Sequence, residues 1–280
     1  MAMANSKAVA LAVGFILLNL TSHCYDVEDI GCDASILLDG SNSEKTAPAN
    51  LSVRGYNVID DAKAAVEKVC PGVVSCADII IMATRDVISF SGGRRHSVQT
   101  GRRDGRVSLA RNTQSLPSPS ASVSSAIRAF ARKGLTPTDM IYLLGGHTIG
   151  VAHCSLFQDR LYNFQNMGKP DPTMDLGLLT SLRKTCAQNA TVDRTVNLDQ
   201  NPLSSKVIDK SFYSQIMLRR GVLQTDQELA LDPLNKSKVA AVAASSDFNT
   251  KFGQAMVKMG AMQVLTGTQG EIRQSCRSIN

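Results

Sequence analysis

One of the four histidines in this 280-residue chain sits where it could do chemistry. His147 follows Gly145-Gly146 and precedes Thr148-Ile149-Gly150-Val151-Ala152-His153-Cys154. Imidazole is a common metal ligand, and two glycines before it let a flat cofactor approach the backbone. A lone histidine at a helix end is more often structural, so its position alone leaves both roles open. The seven cysteines are a second resource. In an oxidising compartment they pair, and seven leaves one over. A third is the turn Gly101-Arg102-Arg103-Asp104-Gly105-Arg106, whose charge could meet an anionic polysaccharide. Its arginines alternate with Asp104 and no longer basic run appears, so the pattern predicts a solvated turn and no nucleic-acid site.

Helices must position these groups. Val58, Ala62, Ala65, Val66 and Val69 share one helical face over 57–69, and Pro71-Gly72 stops that helix. Ser75 predicts the cap of a second helix, with Asp78 in capping-box position and an apolar run reaching Gly92-Gly93. His96 to Ser108 reads as short extended strands around a glycine-rich turn, and Ser115 to Ser125 as an exposed loop before a helix at 126–133. Thr136-Pro137-Thr138-Asp139 is a strong helix start that leads through Met140, Ile141, Leu143 and Leu144 to His147. Further helices are expected at about 176–186, 209–220, 235–244 and 247–259. No strand–helix alternation and no repeat appear, so the fold class is mainly α.

Composition is ordinary for a globular chain: 43% hydrophobic, 19% charged, net charge +6. The length suits one large domain or two small lobes around a shared core. The apolar stretch from Ala8 to Leu20 follows Lys7. At about 1.5 Å per residue it is too short to cross a bilayer core of roughly 30 Å. With Ser22 and Cys24 behind it, it reads as a secretory signal peptide over 1–24, leaving 25–280 as the domain. A buried N-terminal helix is the alternative. The expectation is a secreted monomer, extracellular or in the cell wall, with no membrane span. Glycosylation sequons at Asn50, Asn189 and Asn235 agree with that route.

The block Leu143-Leu144-Gly145-Gly146-His147-Thr148-Ile149-Gly150-Val151-Ala152-His153-Cys154 resembles the proximal haem signature of the class III, or secretory, plant peroxidases. The similarity extends over nearly everything from Gly31 onward. It includes Gly31-Cys32-Asp33-Ala34-Ser35-Ile36-Leu37-Leu38, then Glu44-Lys45, Asn50 and Arg54-Gly55. Cys70-Pro71-Gly72-Val73-Val74-Ser75-Cys76-Ala77-Asp78-Ile79 is close to diagnostic. So are Gly101-Arg102-Arg103-Asp104-Gly105, Leu116-Pro117-Ser118-Pro119 and Leu265-Thr266-Gly267-Thr268-Gln269-Gly270-Glu271-Ile272-Arg273.

The resemblance implies a helical haem-peroxidase fold, with haem b between distal and proximal lobes and two calcium ions. It makes His147 the axial ligand of the iron. Its partner carboxylate in the family precedes Gln-Glu-Leu, which points to Asp226, although a helix cap would explain an aspartate there equally well. Pro117 matches the family's donor-site proline. Thr148, Asp199 and Asp209 match ligands of the proximal calcium, and the longer loop Asn201-Pro202-Leu203-Ser204-Ser205 offers Ser204 or Ser205 for a missing threonine. Gly31, Asp33, Ser35 and Glu44 match the distal calcium site, and Asp26 falls at the right distance before Cys32 to join them. The family's disulfides become Cys76–Cys276 and Cys154–Cys186. Cys32 and Cys70 are left to bridge each other or stay as thiols, with Cys24 a further partner for one of them.

The family's peroxide chemistry uses a histidine and an arginine on the helix before the Gly-Cys-Asp-Ala-Ser motif. Counted back from Cys32, those places hold Tyr25 and Thr21, and the first arginine is Arg54. His23 is out of register by two residues, which on a helix turns a side chain by about 200°. The chain therefore reads as a peroxidase whose first helices are missing and whose distal lobe is incomplete. The implied reaction is oxidation of phenolic donors by hydrogen peroxide, with no distal catalytic residue retained. The rival readings are a non-catalytic secreted protein that binds haem, calcium or cell-wall polysaccharide, and a product that does not fold stably.

Overall fold

Residues 31–280 are described in the computed structural model, and helices carry most of their regular structure. The signal-peptide reading and the assignments to Thr21, His23, Cys24, Tyr25 and Asp26 lie outside those residues. The described chain forms two compact units, one of residues 31–116, 133–135 and 253–280, the other of 117–132 and 136–252.

In the first unit, Gly55 (φ 84°) admits helix α1, Tyr56–Val69, and α2 follows at Cys76–Phe90. Ile36, Leu37, Ile59, Ile79, Ile80 and Val87 pack into one apolar cluster around the Cys76–Cys276 disulfide. Ser75 caps α2 by accepting the Asp78 N–H at 3.1 Å. Asp78 does not complete the box. Its carboxylate accepts the Gly101 N–H at 2.6 Å and pairs with Arg102 at 3.0 Å.

The arginine-rich turn is not the solvated turn that its composition predicts. Arg102 is buried and donates to the Gly260 and Gln99 carbonyls. Asp104 is 0% exposed and accepts the N–H groups of Cys76, Ala77 and Arg273 at 2.9 to 3.1 Å. It supplies the anion that the N-terminus of α2 lacks, where backbone N–H groups have no intrahelical partner. Of its three arginines, Arg103 and Arg106 reach solvent. The extended stretch expected at 96–108 pairs not with itself but with the C-terminal tail, through Arg103–Leu265 and Asp104–Glu271 bridges.

The second unit holds α3 (Val123–Arg132), α4 (Pro137–Leu144), α5 (Gln158–Tyr162), α6 (Leu176–Thr185), α7 (Ser211–Met217), α8 (Gln224–Leu231) and α9 (Lys236–Ala244). Helix α10, Phe248–Met259, begins there and runs into the residues of the first unit. Strands β1 (Val151–His153) and β2 (Thr195–Asn197) pair antiparallel. Phe157, Leu161, Leu178, Leu182 and Val222 gather around Cys154–Cys186 as a second core. The α4 start has the full capping box: Thr136 Oγ1 accepts the Asp139 N–H and Asp139 accepts the Thr136 N–H.

One expected helix end is corrected, and two helices are added. The helix expected over 209–220 stops at Met217, because Arg219 adopts a left-handed φ of 62° before Gly221. Helices α5 and α8 were not foreseen; the first is a single short turn and the second lacks an apolar stripe. Among the described residues no helix is long and apolar enough to cross a membrane.

Candidate active site

Helix α4 ends at Gly145, and the chain tightens into a short turn over Gly145–Thr148 that presents His147. Gly145 is required from inside: a Cβ there would lie 2.4 Å from the Tyr213 hydroxyl and 2.8 Å from the Phe248 ring. A Cβ on Gly146 would meet nothing within 4 Å. Of the two glycines, Gly146 alone therefore matches the open approach read from the sequence.

His147 Nδ1 lies 2.9 and 3.1 Å from the two carboxylate oxygens of Asp226, which is 1% exposed. Asp226 sits in the first turn of α8. It is not a helix cap; it is buried against the imidazole. Burial opposes protonation of His147, but the charge of Asp226 and its hydrogen bond outweigh that and hold the imidazole above its ordinary pKa. With Nδ1–H donated to the carboxylate, the neutral tautomer carries its lone pair on Nε2, the form that ligates a metal. Phe212 fixes the ring edge-on, with centroids 5.8 Å apart.

Two oxygen-rich sets were expected from sequence. In the second unit, Thr148 Oγ1 lies 3.1 Å from Asp209 Oδ1 and 3.1 Å from the Val207 carbonyl. Asp199 accepts from the Asn201 N–H at 3.0 Å and from Ser204 Oγ at 3.2 Å, and Ser211 Oγ lies 3.4 Å from it. Ser211 N–H also donates to Asp209 at 2.8 Å, so Thr148, Asp199, Ser204 and Asp209 belong to one network. Ser205 is turned to the Asn197 amide instead. Burial raises the Asp199 carboxyl, only partly offset by the donors around it.

In the first unit, the Ser35 N–H reaches Asp33 at 3.1 Å, Ser35 Oγ donates to Glu44 at 3.0 Å, and the Gly31 carbonyl accepts the Asp33 N–H at 2.8 Å. Burial pushes Asp33 up to about 6 against the lowering effect of Ser35 and Arg273. Among the described residues no three His, Cys, Asp or Glu side chains gather as a metal cluster. Each set offers two carboxylates with hydroxyls and carbonyls, a hard-oxygen composition suited to calcium rather than to a transition metal.

The disulfides Cys76–Cys276 and Cys154–Cys186 are formed. Cys32 is disulfide-bonded and Cys70 is free, so the two neither bridge each other nor both remain thiols.

The family model described as peroxidase matches residues 2–245. The chain is 53% identical to Peroxidase 60 of Arabidopsis thaliana over 257 residues, covering 91% of this chain and 77% of that one. It is 50% identical to Peroxidase 57 of Arabidopsis thaliana, at 93% and 82% coverage. It is 44% identical to Peroxidase N1 of Nicotiana tabacum, at 93% and 80% coverage. The chain belongs to the plant peroxidase family.

As a peroxidase it is by family an oxidoreductase that uses hydrogen peroxide and small-molecule donors, on the mainly α fold of that family. Its site has features that sequence reading missed. Thr225, beside Asp226, places Oγ1 within 2.9 to 3.1 Å of the Ser118, Pro119 and Ala121 carbonyls, and its N–H donates to Pro119 at 3.0 Å. The loop that carries the half-buried Pro117 is thereby tied to the helix that carries Asp226. Gln227 pins the same helix, accepting from the Gly221 N–H and donating to the Ile216 carbonyl. Asn50, read as a sequon, is 1% exposed with its amide on the Glu44 carbonyl; Asn235 is equally buried, and Asn189 alone of the three is exposed.

Proposed function

We propose that this peroxidase binds haem b through His147 Nε2, with Asp226 holding the imidazole, and oxidises phenolic donors slowly with hydrogen peroxide. The observation that carries the reading is the buried carboxylate at 2.9 Å from His147 Nδ1, with Nε2 left without a protein partner among the described residues. The donor set fits haem: one imidazole, made electron-rich by a carboxylate behind it, beside a glycine with open space over its Cα. Haem, when bound, supplies the reduction of peroxide and takes electrons from donors one at a time. The protein's part is to hold His147 in one tautomer, keep its Nδ1 proton on Asp226 and exclude water behind the ring.

Slow turnover follows from Tyr25 and Thr21 in the places of the distal histidine and arginine. Neither residue can carry a proton between the peroxide oxygens at neutral pH or stabilise a departing anion. The same observation favours a second reading, a secreted haem- and calcium-binding protein without turnover. Thr148, Asp199, Asp209 and Ser204 are the proposed ligands of one calcium ion. Gly31, Asp33, Ser35 and Glu44, with Asp26, are those of the other. Pro117 is proposed at the donor site, and secretion as the route that oxidises the cysteines.

The test is a haem titration of calcium-loaded protein by absorbance, followed by peroxide. A saturable Soret band that His147→Ala abolishes, then slow bleaching, is the expected result. Fast conversion to a high-valent spectrum would overturn the claim about the distal residues. No saturable band would overturn haem binding itself.

A further inference from the structure

A shallow cavity of about 180 Å³ opens between α4 and α9, lined by Thr138, Ile141, Tyr142, Lys238, Ala241 and Val242. It has room for one aromatic ring, since a protein cavity of about 150 Å³ takes up benzene. Behind its Tyr142 wall runs a file of aromatic side chains that ends at His147. Ring centroids are 6.3 Å apart from Tyr142 to Phe248, 5.7 Å to Tyr213, 5.2 Å to Phe212 and 5.8 Å to His147. All of these residues belong to the second unit. From Phe248 the file branches, to Tyr142 at the cavity and to Phe252, whose ring centroid lies 5.5 Å away.

We infer that Tyr142 is a second oxidation site, where a phenolic carboxylate seated in this cavity gives electrons through the aromatic file to the peroxide-oxidised haem on His147. The inference rests on the haem reading above. The chain has no tryptophan and five tyrosines, so an electron vacancy leaving the haem settles on tyrosine before any other ring. Tyr213 is fully buried and donates its O–H to the Ile141 carbonyl at 2.7 Å, an acceptor too weak to take the proton. Tyr142 lines the cavity and is 7% exposed, so unlike Tyr213 it is not wholly sealed from water. Lys251 stands 5.9 Å from its ring and is paired with Asp247 at 3.1 Å. Lys238 is exposed at the rim with no ion-pair partner among the described residues, which selects a donor bearing a carboxylate.

The electron count closes. Tyr142 loses one electron toward the haem and its O–H proton to water. The donor phenol then returns an electron and a proton to the Tyr142 oxygen and leaves as a phenoxyl radical. Two such rounds supply the two electrons and two protons that convert one hydrogen peroxide to two waters.

The experiment uses the full-length haem-loaded protein, freeze-quenched after peroxide and read by electron paramagnetic resonance. A tyrosyl signal that Tyr142→Phe removes, and that Tyr162→Phe leaves in place, is the expected result. In the haem-free protein, calorimetric titration with 4-hydroxycinnamate should show saturable binding that Lys238→Ala weakens at least about tenfold. A Soret band with an undiminished radical in Tyr142→Phe, or with no radical at all, overturns the relay and leaves haem binding intact. Loss of the Soret band before peroxide is added overturns both. Binding of 4-hydroxycinnamate unchanged by Lys238→Ala overturns the cavity as the donor's seat.

Discussion

Replacing Asp226 by asparagine keeps the shape of its pair with His147 and removes the charge. Two contacts of 2.9 and 3.1 Å from a carboxylate that is 1% exposed put this bond in the charge-assisted class. Such a bond contributes about 1.5–3 kcal/mol net. At about 1.4 kcal/mol per decade, the variant should bind haem roughly ten- to a hundredfold more weakly at neutral pH. That is also the range expected when the carboxylate behind a ligating histidine is lost. The imidazole should respond as well. Its raised pKa depends on Asp226 overcoming burial, and in the variant burial is unopposed, so the value should fall below about 6.5.

The sign for stability follows from that shift. A histidine pKa raised by folding contributes stability that is complete below the unfolded value of about 6.5 and is lost as pH rises through the folded value. In the haem-free protein, the melting deficit of Asp226→Asn should therefore be larger near pH 6 than near pH 9 (both about). Absorbance titration, imidazole NMR and thermal melts read the three effects. An imidazole that titrates identically in both proteins, or a deficit that grows with pH, would refute the reasoning.

Asp104→Ala should lower the melting temperature sharply, since it strips three backbone N–H groups and removes the strongest of the counter-charges around the buried Arg273. Losses of about 3–5 kcal/mol are usual for such a buried partner, and a denaturant titration checks this. Thr225→Val should loosen the loop of Pro117 and raise KM for phenolic donors more than it lowers kcat, measured by steady-state kinetics. Burial lowers the pKa of His96, whose Nδ1 has no partner. Its contribution to stability is present above about pH 6.5 and lost as pH falls through the folded value, a loss that His96→Gln should flatten in melts across that range. Chelation of calcium should lower the melting temperature of the wild-type protein, and Asp33→Asn or Asp199→Asn should shrink that drop.

The parts of the site that sequence made legible are those written as contiguous motifs. Gly145-Gly146-His147 and the capping box at Thr136–Asp139 are local, and local rules read them. Helix α8 was not legible: Gln224, Thr225, Asp226, Gln227 and Glu228 form a polar run with no apolar stripe, although Asp226 and Gln227 are 1% exposed. Its polar atoms are satisfied by distant partners, the Ser118 to Ala121 carbonyls and the Gly221 N–H, which no spacing rule reveals. The arginine turn misled for the same reason. Arg102 and Asp104 have the composition of a surface and the burial of a core, because they serve the N-terminus of α2 and the Gly260 carbonyl from far along the chain. The sequons at Asn50 and Asn235 show a motif that spacing reads correctly but whose asparagine is buried.

The two disulfides close loops of very different span, 32 residues for Cys154–Cys186 and 200 for Cys76–Cys276. Chains leave the ribosome at about 5–20 residues per second, so the short loop can oxidise while synthesis continues. The long one waits until Cys276 has been made, 200 residues after Cys76. Until then Cys76 is an open thiol a few residues from Cys70, which is free in the folded chain, and any oxidant that acts early meets that pair first. Locking the start of α2 therefore comes late: a nascent chain stopped between Cys186 and Cys276 can carry a completed short loop but has an unlocked start of α2.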